Sequence, residues 1–407
     1  MKRVLWSDES QMMNEVRRAV IAALQMSMSR LGVKKIGKWR LLTVGPGAVT
    51  DLLVEEKRRA KEHWVAVSAE SGQCFSPVRE EENLVGFSKH EDVLVSANSR
   101  YSALIEGLRF VLAPSPSRSP QEIITSYPPV SGLLRFDDGE LLVKVKTLRE
   151  VPRALFVGSL SPHNWYHWII DYLPSVYLAK FLHPEFDDYP LLVPEVVMSK
   201  PHWIEMLSTV IGNREIIGLS SDSYLHVRRL VWIHGPTTRL PRDYQDGTCN
   251  LAMEVELINE YRAFVLNRLG LSFDPKEPQS RLFLARPEGS LRPYNQDQIL
   301  SIAREFGFEP LYSERLTLRE SIRSLLQAEY VVGPHGAGWA NALFTERGRG
   351  SLIWTWDEGL RENWFHNVLL ARGIQVKTIS TGPGSNATPY TLDPATFRGF
   401  LGDLTRN

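Results

Sequence analysis

The alternation of strand and helix in residues 281–354 is the feature that most constrains the fold of this chain. Short apolar runs with strand character alternate there with segments whose apolar residues recur at helical spacing. A capping-box sequence, Thr317-Leu318-Arg319-Glu320, marks the start of one helix. The predicted elements are strand 281–285, helix 296–306, a helix from Leu318, strand 330–332, helix 339–344 and strand 351–354. With the two consecutive helices counted as one crossover, this βαβαβ order predicts a parallel sheet with a ligand crevice beyond the carboxyl ends of its strands.

The alternation of strands and helices predicts an α/β protein. Two lobes are expected, because 407 residues exceed what one compact core normally holds. Residues 1–32 form a predicted amphipathic helix, which packs on its own domain or, alternatively, makes a peripheral membrane contact. Residues 33–250 form a predicted N-terminal lobe, β-rich to about position 160 and α/β beyond it. Residues 251–407 form a predicted C-terminal Rossmann-like lobe that opens with a helix at 251–269.

Composition excludes several function classes. Lysine plus arginine equals aspartate plus glutamate, at 47 each, so the chain has no bulk positive charge with which to hold nucleic acid. The two cysteines, Cys74 and Cys249, are too few for a disulfide-built protein and favour a reducing compartment. The N-terminus turns acidic before any apolar run, which is not the pattern of a secretory signal. A cytoplasmic location is therefore expected, with peripheral attachment to the inner face of the membrane as a variant of it.

The glycine-rich turn at 333–338, Gly-Pro-His-Gly-Ala-Gly, is the sharpest candidate site. A strand that ends in glycines and opens a helix lets an anion reach backbone N–H groups and the positive end of the helix dipole. The spacing matches neither a dinucleotide fingerprint nor a P-loop, and a plain tight turn is the alternative. Arg286 and Arg292, beyond the neighbouring strand, are suited to binding phosphate oxygens, unless they are ordinary surface arginines. The predicted diphosphate site comprises Arg286, Arg292, His335, Gly336, Ala337 and Gly338.

A second constellation, residues 161–171, places His163, His167 and Asp171 at i, i+4 and i+8. In a helix these three side chains share one face. Three interpretations compete: a metal site that lacks a further ligand, histidines packed among aromatic residues, or a site that binds an acceptor and moves its proton. We favour the third, with His163, Asn164 and Trp165 binding the acceptor.

Together the two motifs resemble glycosyltransferase family 61. Asn164-Trp165-Tyr166-His167-Trp168-Ile169-Ile170-Asp171-Tyr172-Leu173-Pro174 resembles the N-Y-Y-H-W-x-x-D-x-L-P signature of that family. The run from Arg286 to Asn295, the segment 314–318 and the segment 331–344 resemble later parts of the family pattern. The resemblance covers about residues 154–380. One position departs from it, since many members end the strand after the glycine turn with an acidic residue, where this chain has Trp354.

The resemblance implies a GT-B fold, in which two Rossmann-like lobes face a cleft, here with a β-rich N-terminal extension. It implies an inverting transfer of a hexosyl, pentosyl or N-acetylhexosaminyl group from a nucleotide-sugar to a glycan or lipid-linked glycan, without a metal or other cofactor. Bacterial surface polysaccharide synthesis is the expected setting. Asp171, narrowly favoured over His167, is expected to take the acceptor proton. The alternatives are a nucleotide-sugar isomerase or epimerase of the same fold, and a non-catalytic relative that binds nucleotides or glycans.

Overall fold

A computed structural model describes the chain in discontinuous ranges. Side chains are described for residues 87–97, 149–158, 163–221, 223–235, 255–290, 292–357, 364–382 and 389–406, and further strands are described by their backbone alone. The helix predicted within residues 1–32 lies outside the described residues. Within the described ranges, no helix has both the length and the apolar character needed to cross a membrane.

The strands that the structure describes account for the β-rich character predicted for the first half of the chain. In chain order they are β1 (Lys35–Ile36), β2 (Trp39–Val44), β3 (Glu56–His63), β4 (Ala66–Val67), β5 (Cys74–Phe75), β6 (Glu82–Val95), β7 (Ala103–Glu106), β8 (Arg109–Leu112), β9 (Leu133–Asp137), β10 (Glu140–Val145), β11 (Thr147–Val157), β12 (Leu191–Pro194), β13 (Ile216–Leu219), β14 (Tyr224–His234), β15 (Thr237–Arg239), β16 (Leu251–Glu254), β17 (Ser280–Leu284), β18 (Phe308–Leu311), β19 (Ala328–Pro334), β20 (Gly350–Thr355) and β21 (Gln375–Ser380).

The helices follow the strands in the alternating order expected of an α/β protein. Helix α1 is one continuous helical run of four consecutive segments: α-helical Trp165–His167, π-helical Trp168–Tyr172, α-helical Leu173–Tyr177 and 3₁₀ Leu178–Phe181. The other described helices are α2 (Glu195–Met198), α3 (Pro201–Ile211), α4 (Val255–Arg268), α5 (Gln296–Glu305), α6 (Leu318–Leu326), α7 (Trp364–Leu370) and α8 (Pro394–Thr405), with 3₁₀ helices at Pro184–Phe186, Ser313–Arg315 and Ala337–Phe344.

Two sheets with parallel strands organise the described chain, which confirms the mixed α/β class. In the first, here called the mixed sheet, β13-β12-β11-β14 run parallel and β14 then pairs antiparallel with β6. In the second, the C-terminal sheet, the order is β18-β17-β19-β20-β21 with every pair parallel. A small antiparallel sheet, β1-β2-β10-β9, and the hairpin β4-β5 lie outside these two.

In each of the two large sheets the strand order reverses once, next to a predicted motif. The mixed sheet grows from β11 to β12 and β13, and the chain then returns to place β14 on the other side of β11. The C-terminal sheet grows from β17 to β18 and then places β19 on the other side of β17. Ligands of open α/β sheets bind beyond the strand carboxyl ends at such switch points. The segments after β11, β17 and β19 carry the two predicted motifs.

Two local predictions differ from the structure. The helix predicted at 251–269 begins at Val255, because residues 251–254 pair as β16 with β15 and with the end of β3. The helix predicted at 339–344 is a 3₁₀ helix that begins at Ala337, directly after the glycine turn. Helix α4 packs against the mixed-sheet helices α1 and α3, while its Arg262 reaches the 3₁₀ helix of the C-terminal sheet. The division into 33–250 and 251–407 therefore stays a prediction.

Candidate active site

Arg286 and His335 meet at the switch point of the C-terminal sheet. Arg286 follows β17, His335 follows β19, and Arg286 Nη2 donates a 2.7 Å hydrogen bond to the carbonyl oxygen of His335. Arg286 Nη1 donates to the carbonyl oxygen of Arg292. The Gln296 amide clamps the backbone of Arg286, accepting from its N–H at 2.7 Å and donating to its carbonyl at 2.9 Å. The guanidinium of Arg286 is thus held in place by the main-chain carbonyls of His335 and Arg292. The phosphate-binding role of the two arginines stays a prediction.

Arg292 adopts a backbone conformation that few residues with side chains adopt. Its φ of 65° lies in the left-handed region, which costs free energy for any residue but glycine. The guanidinium carbon of Arg292 lies 5.5 Å from the centroid of the Trp356 ring. Residues 286–290 and 293–298 of this loop line a pocket of about 500 Å³. The loop after β17 therefore presents Arg286 to a space large enough for a small ligand, and Arg292 lies in the same loop.

The His335 ring is buried between aromatic rings. Its centroid lies 5.2 Å from that of Trp356 and 4.6 Å from that of Phe365. Burial, followed by the positive charge of Arg292, lowers the pKa of His335 well below its usual range. The imidazole is therefore neutral near pH 7 and adds no charge to the turn. The backbone of His335 contributes through its carbonyl, which fixes Arg286.

The three glycines of the turn have different reasons for being glycine. A Cβ on Gly333 would lie 2.7 Å from the Cβ of Leu284, so the close approach of β19 to β17 excludes any side chain there. Gly336 has an extended φ of 173°, and its nearest neighbours would lie 3.8 Å or more from a Cβ. An added Cβ on Gly338, which is exposed, would meet nothing within 4 Å. Packing thus explains Gly333, whereas Gly336, Ala337 and Gly338 leave an open backbone face at the start of a helix.

The first residues of the second motif support the N-terminal end of α1. Asn164 is its N-cap, with the side-chain oxygen accepting a 2.9 Å hydrogen bond from the N–H of Tyr166. His163 therefore lies in the turn before the helix, and the face that the sequence predicts for His163, His167 and Asp171 forms only for the last two. Trp165 Nε1 donates a 2.8 Å hydrogen bond to Oδ1 of Asn341 in the other motif. The expected acceptor roles of His163, Asn164 and Trp165 stay predictions.

His167 and Asp171 form a buried dyad. His167 Nδ1 and Asp171 Oδ2 are 2.5 Å apart, and the side chains are 5% and 11% exposed. Asp171 lies in the π-helical turn of α1, a distortion that is frequent at functional sites. Its second oxygen, Oδ1, is buried and has no hydrogen-bond partner among the described residues. The carboxylate engages Nδ1 of His167, so Nε2 is the ring nitrogen that makes no contact with the carboxylate.

Helix α7 connects the two motifs, and sequence reasoning missed it. The Phe365 ring lies 5.2 Å from the Tyr166 ring, and the same ring contacts His335. Trp364 packs edge-on against His167 at 5.0 Å between centroids, and its carbonyl accepts a 2.8 Å hydrogen bond from the Tyr166 hydroxyl. The adjacent aromatic pair Trp364-Phe365, at the start of an apolar helix, was the available signal.

The described residues include no cluster of three or more His, Cys, Asp or Glu side chains that could hold a metal ion. His163, His167 and Asp171 therefore do not form such a group. The expectation that the reaction needs no metal stays a prediction. Trp354, which stands where many relatives are expected to have an acidic residue, is fully buried against Phe283 and Phe397.

Comparison with protein-family models matches part of this chain. The family model described as Glycosyltransferase 61 matches residues 165–352, a range that begins at Trp165 within the first motif and includes the glycine turn. A search of curated proteins finds no match to this chain. The match confirms the resemblance that the two motifs indicated.

Proposed function

Because the family model described as Glycosyltransferase 61 matches residues 165–352 of this chain, we propose that the protein moves a sugar from a nucleotide-sugar to a glycan hydroxyl with inversion at the anomeric carbon. The proposal includes a GT-B arrangement, with residues 33–250 as the acceptor lobe and 251–407 as the donor lobe across a cleft. The contacts of α7 and the Trp165–Asn341 hydrogen bond support it, since they bring the two switch points together.

The open glycine turn beside two arginines carries the proposal. The first N–H groups of a helix have no acceptor within that helix, so the start of Ala337–Phe344 directs donors toward the exposed Gly338. A diphosphate placed there meets backbone amides and the guanidinium groups of Arg286 and Arg292. These groups stabilise the charge that develops on a departing nucleoside diphosphate. His335 is in this scheme a positioning residue, since its carbonyl holds Arg286.

The dyad geometry favours His167 as the base, with Asp171 as its positioning partner. One oxygen of Asp171 is engaged by His167 and the other is buried, so the carboxylate has no free oxygen at the surface of the described structure. A carboxylate on Nδ1 fixes the tautomer and orientation of an imidazole whose Nε2 then accepts a proton. This reverses the narrow preference for Asp171 that the sequence suggested.

The reaction is a direct displacement. As the bond between the acceptor oxygen and the anomeric carbon forms, the bond from that carbon to the diphosphate oxygen breaks. The proton of the acceptor hydroxyl moves to Nε2 of His167, and the electron pair of the broken bond leaves with the nucleoside diphosphate. Attack from the face opposite the leaving group inverts the anomeric centre, and the enzyme contributes alignment and charge stabilisation.

The setting of this activity is part of the proposal. We assign to it a glycan or lipid-linked glycan acceptor bound by His163, Asn164 and Trp165, and a role in bacterial surface polysaccharide synthesis. We also assign a cytoplasmic location with peripheral membrane contact, no metal or other cofactor, and no binding of nucleic acid. The equal numbers of acidic and basic residues support the last point.

Calorimetric titration with UDP, GDP, dTDP and ADP tests the donor site. At least one nucleotide should bind the native protein, and Gly338→Val should weaken that binding by about tenfold or more, since a side chain there fills the space in which we place the phosphate. Gly399→Val is the matched control, because Gly399 is also exposed with nothing within 4 Å of an added Cβ but lies on α8. If no nucleotide binds, or if both variants bind like the native protein, the donor site is not at this turn.

A further inference from the structure

Lys200 lies at the carboxyl-terminal edge of the mixed sheet, among the residues proposed to bind the acceptor. It follows β12 and α2 and immediately precedes α3. Its Nζ donates a long, 3.4 Å hydrogen bond to the carbonyl oxygen of His163 and lies 4.0 Å from the centroid of the Trp203 ring. The lysine thus joins the segment after β11 to the segment after β12, where ligands of such sheets bind.

Lys200 has no counter-ion in the described structure. Within that part of the chain, no carboxylate lies at ion-pair distance from its ammonium, whereas Lys89 is 3.6 Å from Glu185. Burial lowers the pKa of Lys200, and no acidic neighbour offsets that effect. A half-buried ammonium without a carboxylate retains most of its capacity to bind an anion, because one weak carbonyl contact and an aromatic ring satisfy it only in part.

Aromatic contacts connect Lys200 to the segment that follows the glycine turn. The Trp203 ring contacts Trp165, with centroids 5.3 Å apart, and also Trp168, at 5.4 Å. Trp165 is half buried and is hydrogen-bonded to Asn341 of the 3₁₀ helix that follows the glycine turn. Trp168 and Trp203 are buried, whereas the partly exposed indole of Trp165 offers an apolar face on which a sugar ring packs. A cation therefore lies beside a cluster of three indole rings, in which the half-buried Trp165 ring adjoins the proposed donor site.

We propose that Lys200 binds an anionic group, a carboxylate or a phosphate, on the acceptor sugar, and so makes this enzyme selective for acidic acceptors. The inference rests on the proposed function and adds a substrate class and a specificity-determining residue to it. A charge-assisted hydrogen bond at this position discriminates an acidic sugar from its neutral counterpart by about tenfold or more in affinity.

Three probes that differ in charge test the proposal in the absence of nucleotide. Saturation-transfer NMR compares methyl β-glucuronide, glucose 6-phosphate and methyl β-glucoside on the full chain. The native protein should bind at least one of the acidic sugars about tenfold more tightly than the glucoside. Lys200→Met should abolish that preference while leaving glucoside binding unchanged, and Lys200→Arg should keep most of it. A preference for the glucuronide assigns a carboxylate, and one for the sugar phosphate assigns a phosphate.

Lys180→Met is the matched control. Lys180 likewise places its ammonium over an aromatic ring, 3.6 Å from the centroid of Phe264, but it lies at the far end of α1, roughly 20 Å along the helical run from Trp165. This variant should keep the native preference. The proposal fails if the native protein binds the three sugars equally or binds none, or if Lys200→Met and Lys180→Met change the preference alike. Nucleotide binding is measured separately, so a failure here leaves the donor site standing.

Discussion

The Trp165 indole donates a 2.8 Å hydrogen bond to the Asn341 side chain across 176 positions of sequence. Trp165 begins α1, and Asn341 lies in the 3₁₀ helix that follows the glycine turn. This bond therefore fixes the start of the segment that carries the dyad to the segment that we propose binds the donor phosphates. In the structure, the two motifs that indicated the family are therefore in direct contact.

Removing either partner of this bond should destabilise the protein. Asn341→Leu leaves the Trp165 N–H without an acceptor, and Trp165→Phe leaves the buried Asn341 oxygen without a donor. Each variant should lose about 1–3 kcal/mol of unfolding free energy in urea titrations. The double variant should lose less than the sum of the two single losses, because each single change already breaks the same bond. Strictly additive losses would mean that the bond contributes nothing.

Much of the C-terminal sheet was predictable, because its helices and strands have regular apolar patterns and clear ends. The capping box at Thr317 forms as the sequence indicates, and both the side chain of Thr317 and that of Glu320 make their reciprocal bonds. The turn before α1 was predictable in principle too. Asn164 is a standard N-cap residue, and an N-cap at this position places His163 before the helix and outside the helical face.

The π-helical turn could not be predicted from local sequence. Residues 168–172 have no pattern that distinguishes them from an α-helix, and the wider turn depends on what packs around it. The Trp168 and Tyr172 rings stack at 4.4 Å with 16° between their planes, and the Tyr172 hydroxyl donates to the carbonyl of Leu192 on β12. Such contacts exist only in the folded state, so sequence placed His167 and Asp171 together but left open which of them is presented to a substrate.

Substitution of Gly333 should affect folding rather than binding. An alanine Cβ there would lie 2.7 Å from the Cβ of Leu284 in the neighbouring strand, and both positions are on the buried C-terminal sheet. Gly333→Ala should lower the free energy of unfolding by about 1–3 kcal/mol, the usual result of overpacking. The measurement is chemical denaturation, with Gly338→Ala as the comparison that should unfold like the native protein. Equal stability of the two variants would contradict the packing argument.

Arg262 is a buried cation that the apolar pattern of its helix did not reveal. It lies on α4, donates to the carbonyls of Leu343 at 3.0 Å and Phe344 at 3.3 Å, and pairs with Glu346. These carbonyls end the 3₁₀ helix whose beginning is the glycine turn, so Arg262 anchors that helix from its far end. Helical periodicity records which faces are apolar and cannot show that a charged residue crosses to another element.

Arg262→Met should therefore be among the most destabilising single changes outside the proposed catalytic groups. It removes the donors to two helix-end carbonyls and leaves Glu346 without this partner, and we expect a loss of about 3 kcal/mol or more in unfolding free energy. Arg323→Met is the control, because Arg323 also pairs with a glutamate, Glu277, but is 61% exposed. That change should cost less than about 1 kcal/mol. A loss of similar size in both variants would refute the anchoring role.

Substitutions of His167 and Asp171 should have different effects on kcat. His167→Gln removes the proposed base and should lower kcat by about 100-fold or more, while Asp171→Asn keeps the imidazole and should retain more activity. Neither change should alter calorimetric binding of the nucleoside diphosphate, which occupies the other motif. Donor consumption with the nucleotide-sugar found by the binding screen is the measurement. If Asp171→Asn were the more severely impaired variant, with His167→Gln still active, the base would be Asp171.

His366 should make the stability of the fold depend on pH. Its ring is fully buried, Nε2 lies 2.9 Å from the Thr378 hydroxyl oxygen, and burial lowers its pKa to about 4. In the unfolded chain a histidine takes up its proton near pH 6.5, so between about pH 6.5 and 4 the unfolded state binds more protons than the folded state. Acidification therefore favours unfolding by about 1.4 kcal/mol per pH unit in that window.

Comparison of His366→Leu with the native protein isolates this contribution. Because leucine binds no proton, the difference in unfolding free energy between the two proteins should shift by about 2 kcal/mol in favour of the variant as the pH falls from 7 to 5. His183→Gln is the control, since the His183 side chain is 71% exposed and meets water in both states. Urea denaturation at several pH values measures the difference. A constant offset between His366→Leu and the native protein across that range would show that His366 binds its proton equally well in both states.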